Sequence, residues 1–184
     1  MDSSPFQRGS KWRPASAAAH PAVNMTSDVV ESTEQMGVVY VIRPLDHEIA
    51  HWLNQRGAEC PSGQSGRYPL VAEVRAALSD IPDVRYHQSV GAGGFGWQID
   101  VMHRADPANG RWTSIRSTGG PTDRAAIAFP KGWSDLIIEI VHRLSARTGP
   151  LVLFPDTGEA PLPIWPGRSL ADTLCAFGPV DLPG

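Results

Sequence analysis

Residues 134–147 read Ser-Asp-Leu-Ile-Ile-Glu-Ile-Val-His-Arg-Leu-Ser-Ala-Arg, and with Trp133 before them they hold the clearest periodic pattern in the chain. Trp133, Leu136, Ile137, Ile140, Val141 and Leu144 recur at helical spacing as one apolar stripe, while Asp135, Glu139, His142 and Arg143 fall on the other side. Gly149-Pro150 supplies the stop, because glycine takes the left-handed conformation a helix end favours and proline cannot continue a helix. The spacing predicts an amphipathic helix over 134–147. Immediately after it, Leu151-Val-Leu-Phe154 reads as a buried strand.

Upstream of this helix the pattern changes to the period of two that strands require. Val84–Val90, Trp97–His103, Arg111–Thr118 and Ala125–Phe129 each read as strands, and the Gly-rich 91–96 and Asp-Pro-Ala-Asn-Gly 106–110 read as hairpin turns. The expected arrangement is an antiparallel meander with one face buried and the other solvated. Further back, Val38–Ile42 is a β-branched run read as a strand buried on both faces. Pro44 and Asp46 open a short helix that Gly57 stops, and Pro69 opens a second one over Leu70–Leu78, ended by Ile81-Pro82. The tail from Pro161 is rich in Pro and Gly, with a last short helix over Ser169–Phe177. The fold class expected is α+β: an antiparallel sheet with helices packed on one face.

Residues 1–35 differ from all that follows. They are rich in Ser, Ala and Pro and hold no sustained hydrophobic period, so they lack the apolar surface that would offset the entropy of ordering them. Two readings stand: a disordered arm, or a start set too far upstream, with Met25 or Met36 as the true initiator. Residues 36–184 are then a single α+β domain.

Charge excludes some function classes. Net charge is −3, and lysine occurs only at Lys11 and Lys131. That is the wrong sign for a protein whose main ligand is a phosphate backbone, so no nucleic-acid partner is expected. Cys60 and Cys175 lie far apart with no metal-knuckle spacing, which points to a reducing compartment. No apolar run approaches the roughly 20 residues of a membrane span, and no signal-peptide core is present. The expectation is a cytoplasmic protein with no membrane partner.

The sharpest local motif is His47-Glu48-Ile49-Ala50-His51. In zinc peptidases this spacing sets two imidazoles one helical turn apart on one metal, with the glutamate taking a proton from metal-bound water. Glu73 would be the third ligand, with Glu59, His87 and His103 as rivals. Against this, the motif falls in the first turn after Pro44 and carries no distal histidine signature. Leu45, Ile49, Trp52 and Leu53 centre on one helix face with His47 and His51 almost opposite, the arrangement of a surface helix with two solvated histidines. No metal, cofactor or catalytic residue is therefore assigned, and a zinc-dependent hydrolase stands as the alternative function.

Gly91–Gly96 is formally a GxGxxG, but a dinucleotide fingerprint needs a helix directly after it, and Trp97-Gln-Ile-Asp-Val101 alternates as a strand does. A kinase-type loop fails as well, because the strand that follows holds no lysine. Among the tryptophans, Trp52 and Trp133 sit on apolar helix faces and read as core. Trp97 and Trp112 lie on neighbouring strands, where they could pair across the sheet or where one could serve as an exposed interface anchor. No GxSxG serine and no cysteine–histidine pairing is visible.

The order of segments is itself informative. Residues 38–57, 67–78, 96–101 and above all 129–164, with Lys131-Gly-Trp, the helix, Gly149-Pro-Leu-Val-Leu and Pro155-Asp-Thr-Gly158, resemble small bacterial immunity proteins encoded beside polymorphic or secretion-system toxins. The resemblance implies stoichiometric binding of a cognate toxin inside the producing cell, with no residue roles carried over. The mild acidic balance would suit a basic toxin.

Overall fold

The computed structural model describes residues 38–91, 93–104 and 110–178, which fall within one compact unit. The N-terminal arm expected over 1–35 lies outside the described residues. Seven strands form one antiparallel sheet: β1 (Tyr40–Pro44), β2 (Val84–Val90), β3 (Trp97–His103), β4 (Trp112–Ser117), β5 (Ile127–Phe129), β6 (Leu151–Pro155) and β7 (Leu162–Ile164). Four helices accompany them: α1 (His47–Asn54), α2 (Val71–Ser79), α3 (Ser134–Thr148) and α4 (Leu170–Phe177). The sheet order is β2-β3-β4-β5-β1-β6-β7, so the expected α+β class with an antiparallel sheet holds. Strands β2 to β5 form the meander. The first strand, β1, is inserted between β5 and β6, pairing Ile42 with Ile127 on one side and with Leu153 on the other.

One face of the sheet carries the main core. Tyr40 and Ile42 of β1, Ile99 and Val101 of β3, Ile115 of β4, Ile127 and Phe129 of β5, and Leu151 and Leu153 of β6 pack with the apolar sides of α2, α3 and α4. The stripe read along 133–147 is the reason α3 lies there: Leu136, Ile137, Ile140, Val141 and Leu144 are all fully buried. Residues 65–67 thread between α1 and the end of α3. Gly66 donates to Leu45 O, and a Cβ there would lie 1.8 Å from Pro150 O, so only glycine fits.

Helix α2 buries Val71, Val74, Ala77 and Leu78 in the main core and is anchored by charge as well. Glu73 accepts two hydrogen bonds from the Arg67 guanidinium, at 2.9 and 2.6 Å, and one from the Leu70 backbone N–H at 2.9 Å. Arg67 also donates to Arg147 O at the end of α3, tying the two helices together. Burial alone would raise the Glu73 pKa, but the hydrogen bonds from Arg67 and Leu70 and the charges of Arg67 and Arg147 outweigh it and hold the carboxyl below its ordinary value.

Three details depart from the expectations, the third being the face of the sheet on which α1 packs. Strand β1 is buried on one face only: Tyr40 and Ile42 are in the core, whereas Val41 is 37% exposed. The segment Leu162–Ile164 forms a further strand, β7, paired with β6 through Leu153–Leu162 and Leu151–Ile164. Pro163 is tolerated because β7 is an edge strand, where one side of the ladder needs no donor.

Helix α1 lies against the opposite face from the other three. Adjacent residues of a strand point to opposite faces, and on β6 Leu151 and Leu153 belong to the main core while Val152 packs with Leu45, Ile49 and Leu53 of the α1 segment. Asp46 caps α1 by accepting from Ile49 N at 2.8 Å. Trp52 leans on Phe154, with ring centroids 6.3 Å apart, and the Arg56 guanidinium lies 3.9 Å from the Trp52 ring centroid.

Candidate functional site

Helix α1 covers only the β1–β6 end of this far face, and among the described residues no helix packs over the β2–β3–β4 end. Register defines what it shows. Arg85, Met102 and Trp112 stand side by side across the three strands, and His87, Asp100 and Ser114 make the next row. Gln98 pairs with Arg116 beyond them. Met102 is 58% and Trp112 38% exposed. A shallow concavity of about 480 Å³ lies over the first two rows, with Lys131 on its rim.

Lys131 reaches this place because the chain leaving β5 hugs β4. Gly132 bridges to Thr113, the Lys131 carbonyl accepts from Thr113 Oγ1 at 2.9 Å, and Trp133 N donates to Trp112 O at 3.0 Å. A Cβ on Gly132 would lie 2.4 Å from Thr113 Oγ1, and its φ of 140° is in the region that favours glycine. Lys131 Nζ then sits 5.3 Å from the Trp112 ring centroid, within cation–π range.

The middle row places a serine, a carboxylate and an imidazole in line, yet the order is wrong for nucleophilic catalysis. Ser114 Oγ donates to Asp100 Oδ1 at 2.6 Å, and Gln98 Nε2 donates to the same oxygen at 2.9 Å. A serine nucleophile needs the imidazole between itself and the carboxylate. Here Asp100 stands in the middle, so the serine proton is held by an acceptor too weakly basic to activate it. These bonds hold the surface in shape. Arg116 Nε adds a bond to Gln98 Oε1 at 3.0 Å and lies over Phe95.

The zinc-type motif is placed differently. His47 begins α1, and His47, Glu48 and His51 are all exposed on the side of the helix away from the sheet. His51 Nε2 is 2.9 Å from the side-chain nitrogen of Gln55. Glu73 lies on α2, on the other side of the sheet, and is committed to Arg67. His87 lies on the edge strand β2 and His103 at the end of β3. Among the described residues, no group of three or more His, Cys, Asp or Glu side chains is placed to hold a metal ion. Cys60 is half-buried, and burial, aided by the neighbouring Glu59, pushes its thiol pKa up, away from nucleophilic reactivity.

The tryptophans separate cleanly. Trp97 and Trp112 do not pair: Trp97 stands opposite Ser117 and Trp112 opposite Met102, at different ends of the β3–β4 ladder and on different faces. Trp97 is in the core at 3% exposure, whereas Trp112 is the exposed one. Residue alternation gave a signal for this. Within Trp112-Thr-Ser-Ile115, Ile115 is the apolar anchor of β4, and Trp112 has the opposite parity. Among the described residues, no helix is long and apolar enough to cross a membrane. No family model, curated protein or solved structure matches the chain.

Proposed function

We propose that the protein is a non-enzymatic binding module that engages another protein through the open half of its sheet, and that this partner is a cognate bacterial toxin, held in a stoichiometric complex in the cytoplasm of the producing cell. The observation that carries the reading is the exposed pair Met102 and Trp112 in a shallow concavity at one end of the β2–β3–β4 ladder, with Arg85, Lys131 and Asp100 beside them. An apolar centre containing Trp and Met, ringed by charged groups, is the composition of protein interfaces and of their hot spots. Strands make a rigid platform, which lowers the ordering entropy of association. The resemblance of the segment order to immunity proteins suggests the specific partner.

The test is co-expression with the toxin encoded by a neighbouring reading frame. Growth should be restored, and a one-to-one complex should survive size exclusion. Trp112→Asp should abolish both while leaving the far-ultraviolet circular dichroism unchanged. Failure of the unmodified chain to protect against every adjacent candidate would overturn the reading.

A further inference from the structure

Resting on that protein-binding role, we infer that the partner presents an acidic surface with an apolar side chain at its centre, which seats between Met102 and Trp112. The open face and the chain as a whole differ in sign. The chain carries a net charge of −3, but among the described residues the open face shows Arg85, Arg116 and Lys131 against one carboxylate, Asp100. That carboxylate is already occupied, accepting from Ser114 Oγ and Gln98 Nε2. Among the described residues, neither Arg85 nor Lys131 has an ion-pair partner. Unpaired surface cations are ordinary one at a time. Here one flanks each end of the Met102–Trp112 pair, and the only lysine among the described residues is placed there by the bonds from Thr113 Oγ1 to Lys131 O and from Trp133 N to Trp112 O on either side of Gly132.

A cation beside a partly dry apolar patch recovers its electrostatic energy best when a carboxylate meets it as water leaves. The expected interface therefore sets carboxylates over Arg85 and Lys131 and an aliphatic or aromatic side chain on Met102, with encounter accelerated by the opposed charges. The mild acidic balance of the whole chain pointed to a basic partner; the sign of the docking face reverses that expectation. Three cations on an otherwise acidic chain are too few to hold a phosphate backbone, so a protein surface is favoured over single-stranded RNA stacked on Trp112.

The test uses the full-length chain, labelled with ¹⁵N and titrated with three probes. These are a short peptide with Asp and Glu flanking Leu-Phe, the same peptide with Lys at every acidic position, and oligouridylate. The acidic peptide should bind saturably and shift the amides of β2, β3 and β4. Affinity should fall about tenfold in Lys131→Glu and again when salt shortens the Debye length to a few ångströms. Amides outside those strands report that the variant is folded. Binding of the lysine peptide or of oligouridylate at these strands, or no binding of the acidic peptide, would overturn the inference. Rescue from the toxin is scored separately. Rescue that survives Arg85→Glu with Lys131→Glu sinks the acidic partner and leaves the toxin-binding role standing. Absence of rescue by the unmodified chain sinks that role whatever the peptides do.

Discussion

At the β1–β6 end, the far face of the sheet carries Val152 at 0% exposure beneath Leu45, Ile49 and Leu53, whereas at the β3–β4 end the same face shows Met102 and Trp112 at 58% and 38%. Both ends bury their opposite face in the same helical layer, so the contrast isolates one variable, the presence of a covering helix. Connection type accounts for it. Strand β1 runs through Leu45 and Asp46 directly into α1, which packs on Val152 and Phe154 of the neighbouring strand β6. Strands β2, β3 and β4 follow one another as antiparallel neighbours, and such links turn the chain back within the sheet plane. Leaving large apolar side chains uncovered forgoes roughly 25 cal/mol for every Å² kept in water. The uncovered Trp–Met pair therefore adds less to stability than the covered cluster does, and it is the surface on which the proposed binding role rests.

The largest effect is expected from breaking the covered end. Leu53→Ala removes a side chain that is 1% exposed from the small cluster beneath α1. It should cost about 2–4 kcal/mol, read as a lowered urea midpoint at constant m-value. A cost under about 0.5 kcal/mol would mean that α1 does not seal that end in solution.

A smaller effect tests the helical layer behind the open half, where α2 packs against β2. Glu73→Gln weakens the Arg67 clamp and should cost about 1 kcal/mol at neutral pH, discounted because Arg67 is 40% exposed. The sign with pH follows from the depressed Glu73 pKa. The native state binds that proton less readily than the unfolded chain, so the carboxylate's contribution is present above the unfolded glutamate pKa of about 4.3 and is lost as pH falls through the lower folded value. Wild-type and variant stabilities should therefore converge on acidification. A gap that stayed constant into acid would show that charge is not what the clamp uses.

The smallest stability change belongs to the open end. Met102→Ser should leave stability within about 0.5 kcal/mol yet weaken the proposed toxin complex. A large loss of stability instead would mean that Met102 is covered in the free protein, and the two ends would no longer differ.

Much of this architecture was legible in the residues. The apolar stripe over 133–147, the alternation in Val84–Val90 and Trp97–His103, and the stop at Gly149-Pro150 report on local periodicity, and α3, β2 and β3 occupy those places. Strand β7 was not visible, because a Leu-Pro-Ile triplet in a Pro-rich tail becomes a strand only when β6 offers it an edge. The candidate surface was half legible. Trp112 was one of two tryptophans considered as an exposed anchor, but which of them faced solvent depended on strand parity relative to the core. Lys131 gave no signal, since its position over Trp112 depends on a bridge between residues 113 and 132.

The sequence by itself determined which stretches are helix or strand, β7 excepted, and which side of the periodic ones is apolar, because those properties follow from neighbours a few residues away. Only the tertiary structure decided that β1 enters between β5 and β6, that α1 crosses to the far face, and that the β2–β4 end is left open. Periodicity states that a face must be buried but not what buries it. That choice belongs to the packing of elements distant in the chain, where each covering helix has room for only part of the sheet.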